Sequence, residues 1–332
     1  MNQKSSSFFD NMWYGRRPIA LLFLPLSWLF GLIVKLRLYF YKAGWLTSTR
    51  LSVPVIVIGN ITVGGTGKTP LVIWVADLLK SAGYKPGVIS RGYGGVASSW
   101  PQQVRADSDS RVVGDEAKIL ARRSGCPVAV GPIRADSAQA LIDQYHCDII
   151  ISDDGLQHYA MQRDIEIALI DGDRRYGNRY LLPAGPLREP VQRLKTVDLV
   201  VCNGLADSGH FPLRVEGVVA YKLVDEGESR ALDSFQSAPC HAVAGLGNPS
   251  RFFAHLKKFG ITFESHVFAD HFNYAQSDIN FNDDKLVLMT EKDAVKCTMI
   301  ATEKHWYVPI KAVMTEKFGL TLLSLIKEKE NG

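Results

Sequence analysis

Residues 53–69 read VPVIVIGNITVGGTGKT, and the order of residue types along that stretch decides the fold. VPVIVIGN is a short β-branched run and predicts a buried strand. Gly64, Gly65 and Gly67 follow at once, and they let backbone N–H groups face one centre. A helix over 69–82 then opens with Pro70 in its first turn and stops at Gly83. Strand, glycine loop and helix in that order form the setting of a phosphate-binding loop. The helix N-terminus adds partial positive charge to the loop. Lys68 can reach the β- and γ-phosphates of a nucleotide, and the Thr69 hydroxyl can join Mg²⁺. The candidate nucleotide-binding residues are therefore Thr62, Val63, Gly64, Gly65, Thr66, Gly67, Lys68 and Thr69. One position departs from G-x-x-x-x-G-K-[ST]: Thr62 stands where glycine is usual, and positive φ is sometimes required there.

Downstream, strand and helix patterns alternate. Strands are expected at 85–95, 147–155, 165–171 and 197–204, and helices at 114–125 and 134–145. That alternation implies right-handed βαβ units, hence an α/β/α sandwich of the P-loop NTPase type around a mainly parallel sheet. Asp153 and Asp154 close the apolar run Ile149–Ile151. Adjacent carboxylates at a strand end repel unless a cation sits between them, so they are candidate Mg²⁺ acids. Asp-Asp-Gly also suits a plain turn. The stretch 172–193 is rich in Gly, Pro and Arg without a period, which marks a functional loop. The pattern breaks over 205–240. A second α/β set follows, and an amphipathic helix is expected at 317–329. The expected organisation is an N-terminal membrane-associated segment over 1–50, a P-loop domain over 51–215 and a smaller α/β domain over 216–332.

The chain has 332 residues, 46% hydrophobic and 22% charged, which excludes a disordered or multi-span protein. The net charge of +4 is too small to argue for nucleic acid. It is concentrated in residues 1–50, where seven basic residues face one acid and the remainder is slightly acidic. Five scattered cysteines without C-x-x-C spacing support neither a disulfide framework nor a cysteine metal site. They fit a reducing compartment. Residues 19–34, IALLFLPLSWLFGLIV, are uncharged but short for a span, and Pro25 interrupts them. Arg16 and Arg17 flank one end; Lys35, Arg37 and Lys42 flank the other. No small-residue cleavage site follows. The segment reads as a helix lying in one leaflet against an anionic surface, with a helix packed on the protein's own core as the alternative.

Beyond these readings, GGTGKTP, SRGYGG (90–95), GDEA (114–117), GPIRADSA (131–138), SDDGLQH (152–158), PAGPLREP (183–190), ADHFNY (269–274) and TEKDAVK (290–296) together resemble the tetraacyldisaccharide 4′-kinase family. The resemblance runs from about residue 12 to about 310. It implies ATP- and Mg²⁺-dependent phosphorylation of the 4′-hydroxyl of a lipid disaccharide 1-phosphate, at the cytoplasmic face of the inner membrane. It also implies two α/β/α units with the site between them, a peripheral or monotopic anchor, and no nucleic acid or obligatory protein partner. By position, the resemblance makes Asp115 the general base, His271 its partner with Asp270 beside it, and Arg134 a basic residue near the reacting centre. Lys68 and Thr69 take the phosphate and metal roles, and Asp153, Asp154 and Glu189 stand around the metal. Glu116, Gln157 and His158 are supporting residues. Thr290, Lys292 and Asp293 of TEKD are placed near the adenine. A membrane-associated P-loop ATPase of the switch kind is the alternative function, while a GTPase lacks its N-K-x-D. His146, His210, His241, His255, His266 and His305 read as structural.

Overall fold

The computed structural model describes residues 3–15 and 18–331. Arg16 and Arg17, expected at one flank of the apolar segment, lie outside the described residues. Val55–Gly59 forms a strand and lies between Ile149–Asp153 and Ile165–Asp171, parallel to both. Every residue of these three strands is buried. Such strands carry apolar side chains on both faces, so their sequences do not alternate. Outward on one side follow Leu199–Asn203, Phe211–Glu216 and Lys311–Met314. On the other lie Pro86–Ser90, Val128–Val130 and Gln102–Val104, which completes a nine-stranded sheet. Ile56 and Ile58 face Leu71, Val75 and Leu79 of helix Lys68–Ser81 and Leu120 of helix Asp115–Ser124. Val55 and Val57 face the other way, toward Ala138 and Leu141 of helix Arg134–Tyr145. The period of two along one strand thus separates two cores.

A six-stranded sheet follows in the order Ser229–Ala231, Val219–Lys222, His305–Val308, Val287–Thr290, Cys240–Ala244, Phe263–Val267. Phe235, Phe252, Leu256 and Trp306 pack on it. The smaller unit expected over 216–332 is corrected at its far end. Lys311–Met314 pairs antiparallel with Phe211–Glu216 of the large sheet. Helix Glu316–Asn331 then places Phe318, Leu322 and Ile326 in the large core, with Phe318 5.5 Å from the Trp74 ring. The spacing of those three puts them on one helical stripe, and the large core buries it.

At the N-terminus, helix Gln3–Tyr14, a 3₁₀ turn at Pro18–Phe23 and helix Leu24–Lys42 lie on the aperiodic loop. Residues Pro18–Lys42 are long and apolar enough to cross a membrane by length and composition. Their exposure is the reverse of a soluble helix. Within Leu24–Lys42 the one buried residue is Ser27. Its hydroxyl donates to the Leu181 carbonyl at 2.8 Å and accepts from Ala184 N at 3.0 Å. Trp13 donates its indole N–H to the Pro183 carbonyl at 2.9 Å. Leu22 and Trp28 are 78% and 70% exposed. The helix docks through a serine and turns its leucines outward, so the alternative of a helix packed on the protein's own core does not describe it.

Candidate active site

The glycine loop leaves the carboxyl end of the central strand. Thr62 needs no special conformation there, since it forms an antiparallel bridge with Leu187. The positive φ angles fall on Gly64 (104°) and Gly67 (96°). A Cβ on Gly67 would stand 2.9 Å from Asn203 Nδ2, which donates to the Thr66 carbonyl at 3.0 Å. Thr in the first position is therefore tolerated because the strain sits elsewhere. Lys68 Nζ donates to Asn60 Oδ1 at 3.3 Å and lies 3.5 Å from Asp154 Oδ1.

Asp153 ends the neighbouring strand and is 2% exposed. Burial, reinforced by Glu116 and Asp154, pushes its carboxyl up to about 7 against the pull of Lys68 and Arg134. Its Oδ1 is buried without a hydrogen-bond partner. Asp154 sits at φ 49°. Burial would raise its carboxyl as well, but Lys68 and Arg188 outweigh that and hold it at about 2; Arg188 Nη1 is 3.0 Å away. Arg134 is buried and spends two donors on the strand end, to Ser152 Oγ at 3.0 Å and the Asp154 carbonyl at 2.9 Å. Gly155 is required by that approach: a Cβ there would lie 2.9 Å from Arg134 Nη1. The buried, uncommitted oxygen of Asp153 beside a second carboxylate fits a hard divalent cation. Glu189, expected around the metal, is buried and borders the same cleft. Its oxygens already accept from Gln157 Nε2 at 2.8 Å and from the Tyr159 hydroxyl. His158 also borders this region, and burial together with Arg134 lowers its pKa to about 4, so it stands as a neutral imidazole.

Asp115 opens helix Asp115–Ser124, which packs on the large sheet, and faces the opposite wall. His271, held at φ 58°, brings Nδ1 to 3.2 Å from Asp115 Oδ2. The Tyr93 ring lies 5.2 Å from the imidazole. Lys292 Nζ is 3.1 Å from Glu116, 3.1 Å from Asp270 and 3.4 Å from His271 Nε2. Those carboxylates raise the Lys292 pKa despite its burial. The adenine role expected for Asp293 is corrected. Asp293 is fully enclosed, and its oxygens take Gly245 N, the Tyr274 hydroxyl and the Thr290 hydroxyl at 3.0, 2.9 and 2.6 Å. Thr290 in turn caps helix Glu291–Cys297 by accepting from Asp293 N. The pair is helix-capping chemistry, and a nucleobase cannot reach the carboxylate.

One cleft of about 1320 Å³ is lined by residues 63–70, Arg134, Asp153, Asp154, Glu189, Asp270, His271, Thr290 and Lys292. Phe30, Ile33, Val34 and Arg37 of the N-terminal helix line it too. Asp115 lies directly behind His271. Sequence reasoning did not find Asn60, Asn203 or the ion pair of Arg188 with Asp154. Asn60 at the strand end before the loop was the one local signal.

Residues 19–327 match the family described as LpxK, tetraacyldisaccharide-1-P 4′-kinase. A tetraacyldisaccharide 4′-kinase of Nitrosococcus oceani is 50% identical over 97% of this chain and 95% of its own length. One from Methylobacillus flagellatus is 47% identical over 99% and 100%. A crystal structure of "apo" form LpxK from Aquifex aeolicus in complex with ATP superposes with a TM-score of 0.78 at 27% identity, covering 94% of this chain and 99% of that one. The chain belongs to the tetraacyldisaccharide 4′-kinase family.

Proposed function

We infer that this chain transfers the γ-phosphoryl of ATP to the 4′-hydroxyl of a tetraacyldisaccharide 1-phosphate, giving the 1,4′-bisphosphate of lipid A biosynthesis. The observation that carries this reading is the shared cleft. The glycine loop, the Asp115–His271 couple and the N-terminal helix all border it. A plain NTPase needs no imidazole–carboxylate couple opposite its phosphates and no apolar helix beside them.

In this reading Lys68 and the loop N–H groups hold the β- and γ-phosphates. Arg134 keeps positive charge beside the strand end and fixes the Asp154 carbonyl. Asp153, Asp154 and the Thr69 hydroxyl would hold Mg²⁺, which supplies charge neutralisation on the transferring group. Glu189 positions Gln157. Across the cleft, His271 Nδ1–H donates to Asp115, which sets the tautomer with Nε2 free of a proton; Lys292 donates toward that nitrogen. The couple takes up the hydroxyl proton late in transfer.

The exposed apolar side of Leu24–Lys42 enters the acyl boundary of the inner leaflet, where Lys35, Arg37 and Lys42 meet anionic headgroups. The chain is then peripheral or monotopic at the cytoplasmic face of the inner membrane. The test supplies labelled ATP, Mg²⁺ and a lipid disaccharide 1-phosphate in detergent, and asks whether label reaches the sugar. Membrane-stimulated hydrolysis without labelled lipid would overturn this reading in favour of an ATPase.

A further inference from the structure

We propose that His241, His266 and Glu264 form a second cation site, for Zn²⁺ or a similar transition metal, on the small sheet. None of the three lines the catalytic cleft. Cys240–Ala244 and Phe263–Val267 run parallel, with His241 opposite Glu264 and Val243 opposite His266. Side chains alternate along a strand, so 241, 264 and 266 share one face of this two-strand ladder. His241 Nδ1, His266 Nε2 and a Glu264 carboxylate oxygen lie within 4.8 Å of one another. His241 Nδ1 is 2.9 Å from His266 Nε2 and 3.8 Å from Glu264 Oε2. Ligands at about 2.0–2.1 Å from a tetrahedral metal stand roughly 3.3 Å apart, a value between those two distances.

The surroundings select the tautomer such a site requires. Asp283 approaches His241 Nε2 with both oxygens, at 3.1 and 3.2 Å. That carboxylate holds the proton on Nε2 and leaves Nδ1 with a lone pair aimed at His266. A carboxylate behind a ligating histidine is the usual outer support of a metal imidazole. Phe281 stacks against both rings at 4.0 and 4.1 Å and fixes their planes. His241 is buried, His266 half-buried and Glu264 exposed, so an ion can enter from the Glu264 side at the sheet edge. Two imidazoles and one carboxylate leave a fourth position for water and favour zinc over Mg²⁺ or Ca²⁺.

The test uses the full chain, stripped with chelator and held in excess Mg²⁺ to occupy oxygen sites. Co²⁺ is titrated in as the spectroscopic probe, and Zn²⁺ then competes. The parent and His271→Ala should both develop the intense visible bands of nitrogen-ligated, low-coordinate Co²⁺, and Zn²⁺ should erase them. His266→Ala should lose the bands and at least about tenfold in Zn²⁺ affinity. Asp283→Asn should weaken binding by about 10–100-fold. Glu264→Gln alters an exposed side chain and should also weaken binding, which keeps the test decisive if His266→Ala folds poorly. A parent chain without bands, or variants at 264 and 266 that bind like the parent, would overturn the site.

Discussion

The two walls of the cleft are built differently. On the large sheet, the charged groups at the phosphate side stand at or just beyond the end of a buried strand, as Asp153 and Asp154 do, or at the first residue of a packed helix, as Lys68 and Arg134 do, and are tied to their neighbours. Lys68 reaches Asn60 and Asp154, and Arg134 reaches Ser152 and the Asp154 carbonyl. On the small sheet, His271 stands on a loop beyond Phe263–Val267, at positive φ, and is held from both sides: Asp115 reaches one nitrogen across the gap, and Lys292, from the small unit itself, lies near the other. The phosphate side is preformed by the fold. The acceptor side exists only while both units meet.

Mutations should separate the walls. The largest effect belongs to Lys68→Ala, which removes charge from the preformed wall. Transfer rates should fall by about 10³-fold or more with the melting temperature nearly unchanged; a loss under tenfold would break the contrast. Next come Asp115→Asn and His271→Ala, each expected to lower kcat by about 10²–10³-fold. Because they act as one couple, the double variant should be scarcely worse than either single variant. Additive losses would show two independent groups.

A smaller effect tests how the acceptor reaches its wall. Leu22→Glu with Trp28→Glu should weaken binding to anionic vesicles by about 10²-fold, since each side chain contributes about 1.5 kcal/mol or more when buried. Binding of an ATP analogue should not change. Deleting the whole segment is a poorer test, because Ser27 and Trp13 hold the loop at 181–184.

The smallest effect is a pH dependence. Asp153 is raised to about 7, so below that pH it carries a proton that Mg²⁺ must displace. Mg²⁺ affinity should rise up to about tenfold per pH unit toward 7 and level off above it. Asp153→Asn should flatten the profile. Without divalent cations the sign for stability is opposite. Between the ordinary carboxylate range and about 7 the unfolded chain binds fewer protons, so melting temperature should fall as pH rises through that window.

The parallel core was legible because buried strands carry their signal in every residue, as VIVIG and IIISD do. The glycine loop was legible because its spacing is chemistry. The short edge strands Gln102–Val104 and Lys311–Met314 were not, since three or four half-exposed residues hold no period. Asp115 and His271, 156 positions apart, were visible through family resemblance alone: local sequence contains nothing that joins a helix N-terminus to a distant loop. TEKD misled in part, because a capping threonine and its aspartate look like a ligand motif until burial is known. His241 and His266 read as structural because residues 25 positions apart on two separate strands give no spacing signature.

The return of the chain to the large sheet sets an order of manufacture. Residues 311–331 leave the ribosome after the whole small sheet, yet they supply an outermost strand and the Phe318, Leu322 and Ile326 side chains of the first core. Until they emerge, Phe211–Glu216 is a bare edge able to pair with another nascent chain. The nucleotide-holding half therefore waits, incomplete, for the whole of the other half to be synthesised, and a stop codon after residue 310 should leave protein that aggregates rather than a trimmed kinase.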